Sequence, residues 1–227
     1  MVLKVIINKE PYVGMLLEAT QAYHKETFGI IIGKRVKKEK AFSYDTLVQM
    51  FVPIKNNSKY TGLTVNNERL EKACSAIPVN SIKQLGDFHT HTTHTTFGPA
   101  PSEEDIKDIK NIKNIKSKYY LSFIMQVKPS EAKNTGFLYK NKEIVYITDI
   151  YSRRSKSKKT RIKTRLAVFY LNKIKGELKP IKAELEPSRW LLNLMDENPL
   201  DKRRKLKAKE SLEIIAEAID VGRQQEH

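Results

Sequence analysis

Cysteine is almost absent from this chain, which has one, Cys74, in 227 residues. One cysteine cannot form a disulfide within the chain, and Cys74 has no second cysteine at the spacing of a metal site. Long apolar runs are also absent, since no window approaches about eighteen uninterrupted apolar residues, as a transmembrane helix requires. The first residues lack the basic and apolar segments of a signal peptide. We therefore expect a cytoplasmic protein that does not bind to membranes.

Acidic residues are few compared with basic ones, because 26 Asp and Glu against 42 Lys and Arg give a formal charge of +16. The densest basic segment is 153–165, which contains eight Lys and Arg and no acid. A strongly basic surface attracts nucleic acid, anionic lipid and acidic proteins alike. Charge alone therefore does not identify a partner, although residues 153–165 are a candidate segment for binding nucleic acid.

Strand and helix patterns alternate through the first two thirds of the chain. Short apolar runs predict strands, and apolar residues spaced by three and four predict helices. The predicted strands cover 2–7, 28–33, 46–53, 85–91 and 119–127, with a hairpin at 135–149 that turns at Asn141 and Lys142, and the predicted helices cover 10–25, 67–77 and 103–116. This order of elements predicts one α/β or α+β domain over residues 1–150.

Residues 151–227 are expected to form a basic, mainly helical C-terminal extension. The apolar residues of its first part follow a helical spacing; they are Ile162, Leu166, Phe169, Tyr170 and Ile174. Prolines then bound a shorter predicted helix around Trp190, and a further apolar helical face follows at 212–219. The extension is expected to pack on the first domain or to be tethered to it.

Three of the five histidines lie in the stretch 86–105. Side chains two residues apart in a strand point to the same face, so His89 and His91 can bind one ion together. Asp105 follows them, and two histidines plus one carboxylate with an open fourth position form a recurring hydrolytic zinc site. The alternative for the histidines is a chance pair on a surface strand.

Ser102 and Asp105 also have a purely structural interpretation. Ser102 precedes a predicted helix as its N-cap, and an acidic residue three positions later is close to a capping box. Acidic residues in a first helical turn also suit the helix dipole. The two interpretations are compatible, because an N-cap side chain lies at the open end of the helix, where a ligand can reach it.

Three pieces of the sequence, taken in order, resemble the JAMM (MPN+) metalloprotease family. They are Glu26 just before the glycine-containing apolar segment 28–33, the motif His89-Thr90-His91, and the motif Ser102-Glu-Glu-Asp105. The resemblance covers residues 1–150 and agrees with the order of strands and helices predicted there. It implies a JAMM/MPN-like fold, in which a cytidine-deaminase-like central sheet is flanked by helices.

The resemblance also implies a role for each matched residue. Zn2+ would be bound by His89, His91 and Asp105. Glu26 would be the general base for water, and Ser102 would hydrogen-bond the developing oxyanion or orient the water. The implied reaction is hydrolysis of peptide or isopeptide bonds, and the implied protein substrates are conjugates of ubiquitin-like modifiers or of small sulfur-carrier proteins.

The connection from His91 to Ser102 is longer than the family pattern. It comprises the ten residues Thr92–Pro101 and includes His94. His94 is an alternative ligand, but its partner at the His-x-His spacing would be Thr92, which cannot replace an imidazole, and His91 and His94 are out of strand phase. We therefore predict that the ligands are His89 and His91, and that His94 is a spectator near the mouth of the site.

Two other functions compete with the hydrolase. RadC-like proteins, which are linked with DNA repair, share the His-x-His and Ser-x-x-Asp pattern, so an MPN-type domain that associates with nucleic acid through 153–165 is one alternative. A non-catalytic MPN scaffold is the other. The presence of Glu26, both histidines, Ser102 and Asp105 favours the enzyme over the scaffold.

Overall fold

The computed structural model describes residues 3–22, 24–36, 46–54, 72, 83–92, 98–111, 120–152, 155–174 and 177–197. Three predictions lie outside these ranges. They concern the helix at 67–77 apart from Lys72, the role of His94, and the helical face at 212–219.

The described residues include ten strands, which form one mixed sheet. They are β1 (Lys4–Ile7), β2 (Phe28–Arg35), β3 (Thr46–Ile54), β4 (Lys83–His91), β5 (Leu121–Pro129), β6 (Gly136–Lys140), β7 (Glu143–Ser152), β8 (Ser155–Ile174), β9 (Glu177–Lys182) and β10 (Glu184–Pro187). Their order across the sheet is β10-β1-β3-β2-β4-β5-β8-β7-β6, and β9 pairs with β8 beside this path. The described residues also include three helices, α1 (Lys9–Gln21), α2 (Glu103–Asn111) and α3 (Arg189–Glu197). The fold is therefore a mixed α+β fold, as expected.

Helix α1 lies against β3 and closes the main core on one face of the sheet. It buries Tyr12, Met15 and Ala19, which are spaced by three and four residues and therefore share one helical face. Gly14 lets the helix approach β3 closely, since a Cβ at this position would lie 3.1 Å from Cδ1 of Phe51.

The two faces of β4 have different chemistry. Phe88 is fully buried in the main core. Its neighbours Asp87 and His89 point to the opposite face, because successive strand residues alternate, and His91 shares their face. One face of this central strand is thus hydrophobic core, while the other carries the ionisable residues of the candidate site.

Most of the strands predicted for residues 1–150 are confirmed. The hairpin is confirmed in detail, because β6 and β7 pair antiparallel and their two connecting residues have positive φ angles, 55° for Asn141 and 62° for Lys142. Positive φ at both central residues is the mark of a type I′ turn, whose twist matches that of the flanking strands.

The prediction of a helix across residues 162–174 is wrong, since this segment belongs to the twenty-residue strand β8. A period of two is present as well: Ile162, Thr164, Leu166 and Val168 are all buried on one face. Thr164 obscured that alternation because it is polar, yet its hydroxyl is satisfied by donating to the carbonyl of Tyr146 at 3.3 Å. Pairing with β5 and β7 on both sides then favours the strand.

The predicted mainly helical character of the extension is likewise wrong for residues 155–174 and 177–187, which contain β8, β9 and β10. Strand β7 runs across residue 150, and β10 pairs parallel to β1, so these residues continue the sheet of the first domain. Pro180 and Pro187 lie in the peripheral strands β9 and β10, where a missing N–H is tolerated. The short helix around Trp190 is confirmed as α3, with Leu191 buried beneath it.

None of the helices among the described residues combines the length and apolar character needed to cross a membrane.

Gly86 provides a test of how tightly β4 packs against its neighbour. A Cβ at this position would lie 1.7 Å from the carbonyl oxygen of Leu121 in β5. We expect Gly86→Ala to lower the free energy of unfolding by about 1–3 kcal/mol or more, because backbone atoms must shift. Gly98→Ala is the control, since a Cβ there meets no described atom within 4 Å and should change stability by less than about 0.5 kcal/mol. Urea denaturation measures both, and equal effects would contradict the close approach.

Candidate metal centre

The end of β4 presents two imidazoles on one face of the sheet. His89 and His91 are 8% and 4% exposed, so both rings are removed from bulk water. They are held by pairing on both sides of the strand, since His89 lies opposite Phe28 of β2 and His91 opposite Gln126 of β5. The predicted strand phase of the two histidines is confirmed.

Asp105 reaches the histidines from the first turn of α2. Ser102 caps this helix: its hydroxyl accepts the Asp105 backbone N–H at 3.1 Å, and its own N–H donates to Oδ2 of Asp105 at 2.7 Å. The Ser102 hydroxyl also donates to the same Oδ2 at 2.7 Å. This reciprocal arrangement is a capping box with aspartate in place of glutamate. It confirms the predicted cap and holds the carboxylate towards the histidines.

The three side chains converge with nearly equal separations. Nε2 of His89 lies 3.3 Å from Nε2 of His91 and 3.3 Å from Oδ1 of Asp105, and Nε2 of His91 lies 3.3 Å from Oδ2 of Asp105. Ligand atoms of a tetrahedral zinc site, with bonds of about 2.0–2.1 Å, lie about 3.3 Å apart. The donor set and its spacing therefore fit a metal ion, and these three residues can hold one.

Each imidazole has an acceptor behind it. Nδ1 of His91 lies 3.1 Å from the carbonyl oxygen of Gly98, and Nδ1 of His89 lies 3.5 Å from Oδ1 of Asp87. A carbonyl or carboxylate oxygen only accepts, so Nδ1 is the donor in both contacts. In the neutral rings this leaves the lone pair on Nε2, the atom that faces the other two side chains.

The charges of the three residues are strongly coupled. Burial by itself lowers the pKa of His89, but hydrogen bonds to Asp105 and Asp87 and the charges of these acids outweigh burial and raise it to about 10. Burial by itself raises the pKa of Asp105, but hydrogen bonds from His89 and His91 lower it far below its ordinary value. Without a cation between them, the cluster thus holds a carboxylate beside a protonated imidazole, and a metal ion would compete with that proton.

Glu26 lies near this cluster, two residues before β2. The ladder between β2 and β4 pairs Phe28 with His89 and continues with the N–H of Thr90 donating to the carbonyl of Thr27 at 3.1 Å. Glu26 precedes this ladder by two residues, and its carboxyl lies close enough to His91, His89 and Asp105 for their charges to act on its pKa. The Thr90 hydroxyl accepts the Thr27 N–H at 2.8 Å and so ties this end of β2 to β4.

The environment of Glu26 favours the protonated form of its carboxyl. Burial raises the pKa of its carboxyl, the positive charges of His91 and His89 oppose the rise, and the negative charges of Asp105 and Glu104 add to it. A carboxyl whose pKa is raised is a better base than an ordinary exposed glutamate. The five residues singled out in the sequence therefore meet at one place.

Three cations of the basic segment 153–165 are paired with acids of the same chain, so fewer are available to bind nucleic acid than the composition suggests. Arg161 and Lys159 both pair with Asp149, at 2.8 and 2.6 Å, and Arg161 and Lys159 lower the pKa of Asp149 to about 2. Arg165 pairs with the buried Glu143 at 2.8 Å. Part of the positive charge of the segment is thus neutralised by carboxylates within the sheet. Binding of nucleic acid by this segment stays a prediction.

Sequence reasoning missed three residues of this region, Asp87, Thr90 and Ser122. Asp87 precedes His89 by two positions, so strand alternation could have placed it on the same face. Ser122 gives no such signal, because it reaches Asp87 only through the pairing of β4 with β5.

Comparison with known proteins identifies one family. The profile described as prokaryotic homologs of the JAB domain matches residues 12–137, a range that includes all five residues of the candidate site. This match confirms the family resemblance read from the motifs. Comparison with curated proteins gives no match. The solution structure of protein DSY2949 from Desulfitobacterium hafniense is similar at 18% sequence identity, with 81% of this chain and 94% of that chain covered and a TM-score of 0.45.

The contribution of the hydrogen bond between Thr90 and Thr27 to stability can be tested by substitution of Thr90. We expect Thr90→Val to lower the free energy of unfolding by about 1–3 kcal/mol, because the buried N–H of Thr27 loses its acceptor. Thr90→Ser keeps the hydroxyl and should retain most of that stability. Thermal and urea unfolding of the three proteins measure the difference, and a valine variant as stable as the serine variant would refute the importance of this hydrogen bond.

Proposed function

We propose, from the premise that the chain belongs to the family of prokaryotic homologs of the JAB domain, that it is a zinc-dependent metallopeptidase that hydrolyses peptide or isopeptide bonds. The observation that carries the proposal is the convergence of His89, His91 and Asp105 with separations of 3.3 Å, beside the half-buried Glu26. Two imidazoles, one carboxylate and an adjacent base form the set of groups that metal-assisted hydrolysis requires.

The ligand residues are proposed to bind Zn2+ through Nε2 of His89, Nε2 of His91 and the Asp105 carboxylate. Zinc in such a site supplies Lewis acidity, which makes water a nucleophile near neutral pH. The chain contributes the fixed positions of the ligand atoms, because each imidazole is held from behind and the carboxylate is held by the Ser102 cap.

Glu26 is proposed to accept a proton from the attacking water and to deliver a proton to the leaving amine. The charges of His91, His89 and Asp105 act on its carboxyl, which supports a place for it near the ligand cluster. The raised pKa of Glu26 suits both steps, since a group that gives and takes a proton works best when its pKa lies near the working pH.

Ser102 is proposed to donate to the oxygen on which negative charge develops when the scissile carbonyl is attacked. Its hydroxyl proton points to Oδ2 of Asp105 in this structure, so the role requires the hydroxyl to rotate towards substrate. Rotation leaves Asp105 with the backbone N–H of Ser102 as a donor. A single such donor commonly contributes about 2.7–4 kcal/mol to transition-state stabilisation.

The proposed substrates are conjugates of ubiquitin-like modifiers or of small sulfur-carrier proteins, cleaved in the cytoplasm. The family resemblance supports this substrate class. A non-catalytic scaffold is the alternative function, and it would leave the convergence of Glu26 with the three ligand residues without a use.

Metal content is the first test of the proposal. We expect one zinc per wild-type chain by elemental analysis, and none in Asp105→Ala, because the site loses its carboxylate. Asp108→Ala is the matched control, since this exposed acid lies one turn further along the same helix and should leave zinc content unchanged. Zinc in the Asp105→Ala protein at the wild-type level would exclude this site.

Cleavage is the second test. The probe is a ubiquitin-fold sulfur-carrier protein joined through its C-terminal glycine to a fluorescent amine. We expect Glu26→Gln to bind zinc normally but to lose about 10²–10⁴-fold in cleavage rate, because the amide cannot take up a proton. Glu103→Gln is the control for the change of charge near the site. If wild-type protein loaded with zinc cleaves no such conjugate, the scaffold alternative is preferred.

Zinc binding should release a proton. His89 is protonated at neutral pH without the metal because its pKa is raised to about 10, whereas a ligating imidazole must be neutral. The apparent zinc affinity is therefore expected to rise about tenfold per pH unit between pH 6 and 9, in proportion to one released proton. Calorimetry in buffers of different ionisation enthalpy counts the protons, and an affinity independent of pH would contradict the assigned charge state.

A further inference from the structure

Asp87 is a buried acid whose side chain has few partners. It lies in β4 two residues before His89, on the same face of the strand, and is 6% exposed. A buried carboxylate is costly unless hydrogen bonds or opposite charge compensate it. Among the residues that the structure describes, Asp87 forms no ion pair with lysine or arginine, and its side-chain contacts are to His89 and Ser122.

Both contacts of Asp87 use the same oxygen. The hydroxyl of Ser122 donates to Oδ1 at 3.0 Å, and Nδ1 of His89 lies 3.5 Å from that atom. Ser122 is 1% exposed and lies directly opposite Asp87 in the pairing of β4 with β5. The serine therefore holds the carboxylate oxygen behind the imidazole, and strand pairing holds the serine.

The two histidines of the cluster are supported differently. His91 has the neutral carbonyl of Gly98 behind its Nδ1, whereas His89 has the carboxylate of Asp87 behind its Nδ1. An acidic acceptor fixes the orientation of the ring, keeps the hydrogen on Nδ1 and makes Nε2 more electron-rich as a metal ligand. Neither effect is needed for folding, because an apolar residue would fill the same place without the cost of burying a carboxylate.

We propose that Asp87 is a positioning residue for the metal centre, that it holds His89 with Nε2 directed at the ion, and that Ser122 fixes Asp87 in turn. This inference rests on the proposed function, because it requires that the cluster binds zinc. It extends the site by two residues that do not touch the metal.

Zinc affinity of the purified full chain tests the inference without any measurement of activity. Competition with a chromophoric chelator gives the dissociation constant for zinc. We expect this constant to rise about 10–100-fold in Asp87→Ala, as for other residues that support a metal ligand from behind. Asp87→Asn, which keeps the shape and an acceptor but not the charge, should lie between the alanine variant and wild type.

Ser122 provides a second route if Asp87 variants fold poorly. Ser122→Ala leaves the carboxylate in place but removes its anchor, and we expect a rise in the zinc dissociation constant that Ser122→Thr, which keeps the hydroxyl, reduces. Glu143→Gln is the control for losing a buried acid, because Glu143 pairs with Arg165 and Lys182 away from the cluster. It should change stability and leave the zinc dissociation constant unchanged.

Nitrogen NMR of the zinc-loaded protein gives an independent readout. In wild type, the His89 Nδ1 proton should show the downfield shift of a hydrogen bond to a carboxylate, and this shift should be lost in Asp87→Ala. A purely structural role of Asp87 would not change this signal.

The possible failures can be distinguished. If wild type binds zinc and Asp87→Ala, Asp87→Asn and Ser122→Ala all bind it equally tightly, the positioning role is overturned while the proposed function stands. If Glu143→Gln weakens zinc binding as much as Asp87→Ala, the effect is general destabilisation and the role is again overturned. If wild type binds no zinc, the proposed function fails and this inference fails with it.

Discussion

The candidate metal centre depends on the backbone pairing of β4 with β2 on one side and with β5 on the other. The antiparallel pairing with β2 places Phe28, two residues after Glu26, opposite His89, and the parallel pairing with β5 brings Ser122 opposite Asp87. Hydrogen bonds of the ladder hold these positions rigidly, so the distances between side chains follow from the register. A shift by one residue would move both histidines into the hydrophobic core and Phe88 into the site.

Helix α2 supplies the remaining candidate ligand through the cap of its first turn. The N-cap of Ser102 and the carboxylate of Asp105 satisfy each other, and the same carboxylate completes the cluster. One set of hydrogen bonds thus stabilises the helix end and positions a ligand. From the sequence alone, a helix cap and a metal ligand were two interpretations of this motif. The structure has one arrangement that fits both of them.

Part of the basic segment 153–165 has a structural use within the sheet. Its residues 155–165 lie in β8, an interior strand that pairs with β5, β7 and β9. Arg161 ties β8 to Asp149 of β7 and donates to the carbonyls of Ala132 and Lys133, while Arg165 meets the buried Glu143. These cations hold strands and a loop together, which is a use that a count of lysines and arginines does not reveal.

Local patterns and long-range pairing account for different parts of this protein. Strand alternation was sufficient to place His89 and His91 on one face, and the capping signature was sufficient to place Asp105 at a helix end, because both depend on neighbours within a few residues. The turn at Asn141 was predictable for the same reason.

By contrast, β8 was mistaken for a helix, since its apolar residues fit both periods and only pairing with β5 and β7 distinguishes them. Motif order suggested that Glu26 belongs to the site, but its place near His89 and His91, and the contact of Ser122 with Asp87, arise from strands distant in sequence. The sequence by itself thus determined the residue types of the candidate site and the family, whereas the tertiary structure decided which side chains meet, because sheet register is set by non-local hydrogen bonds.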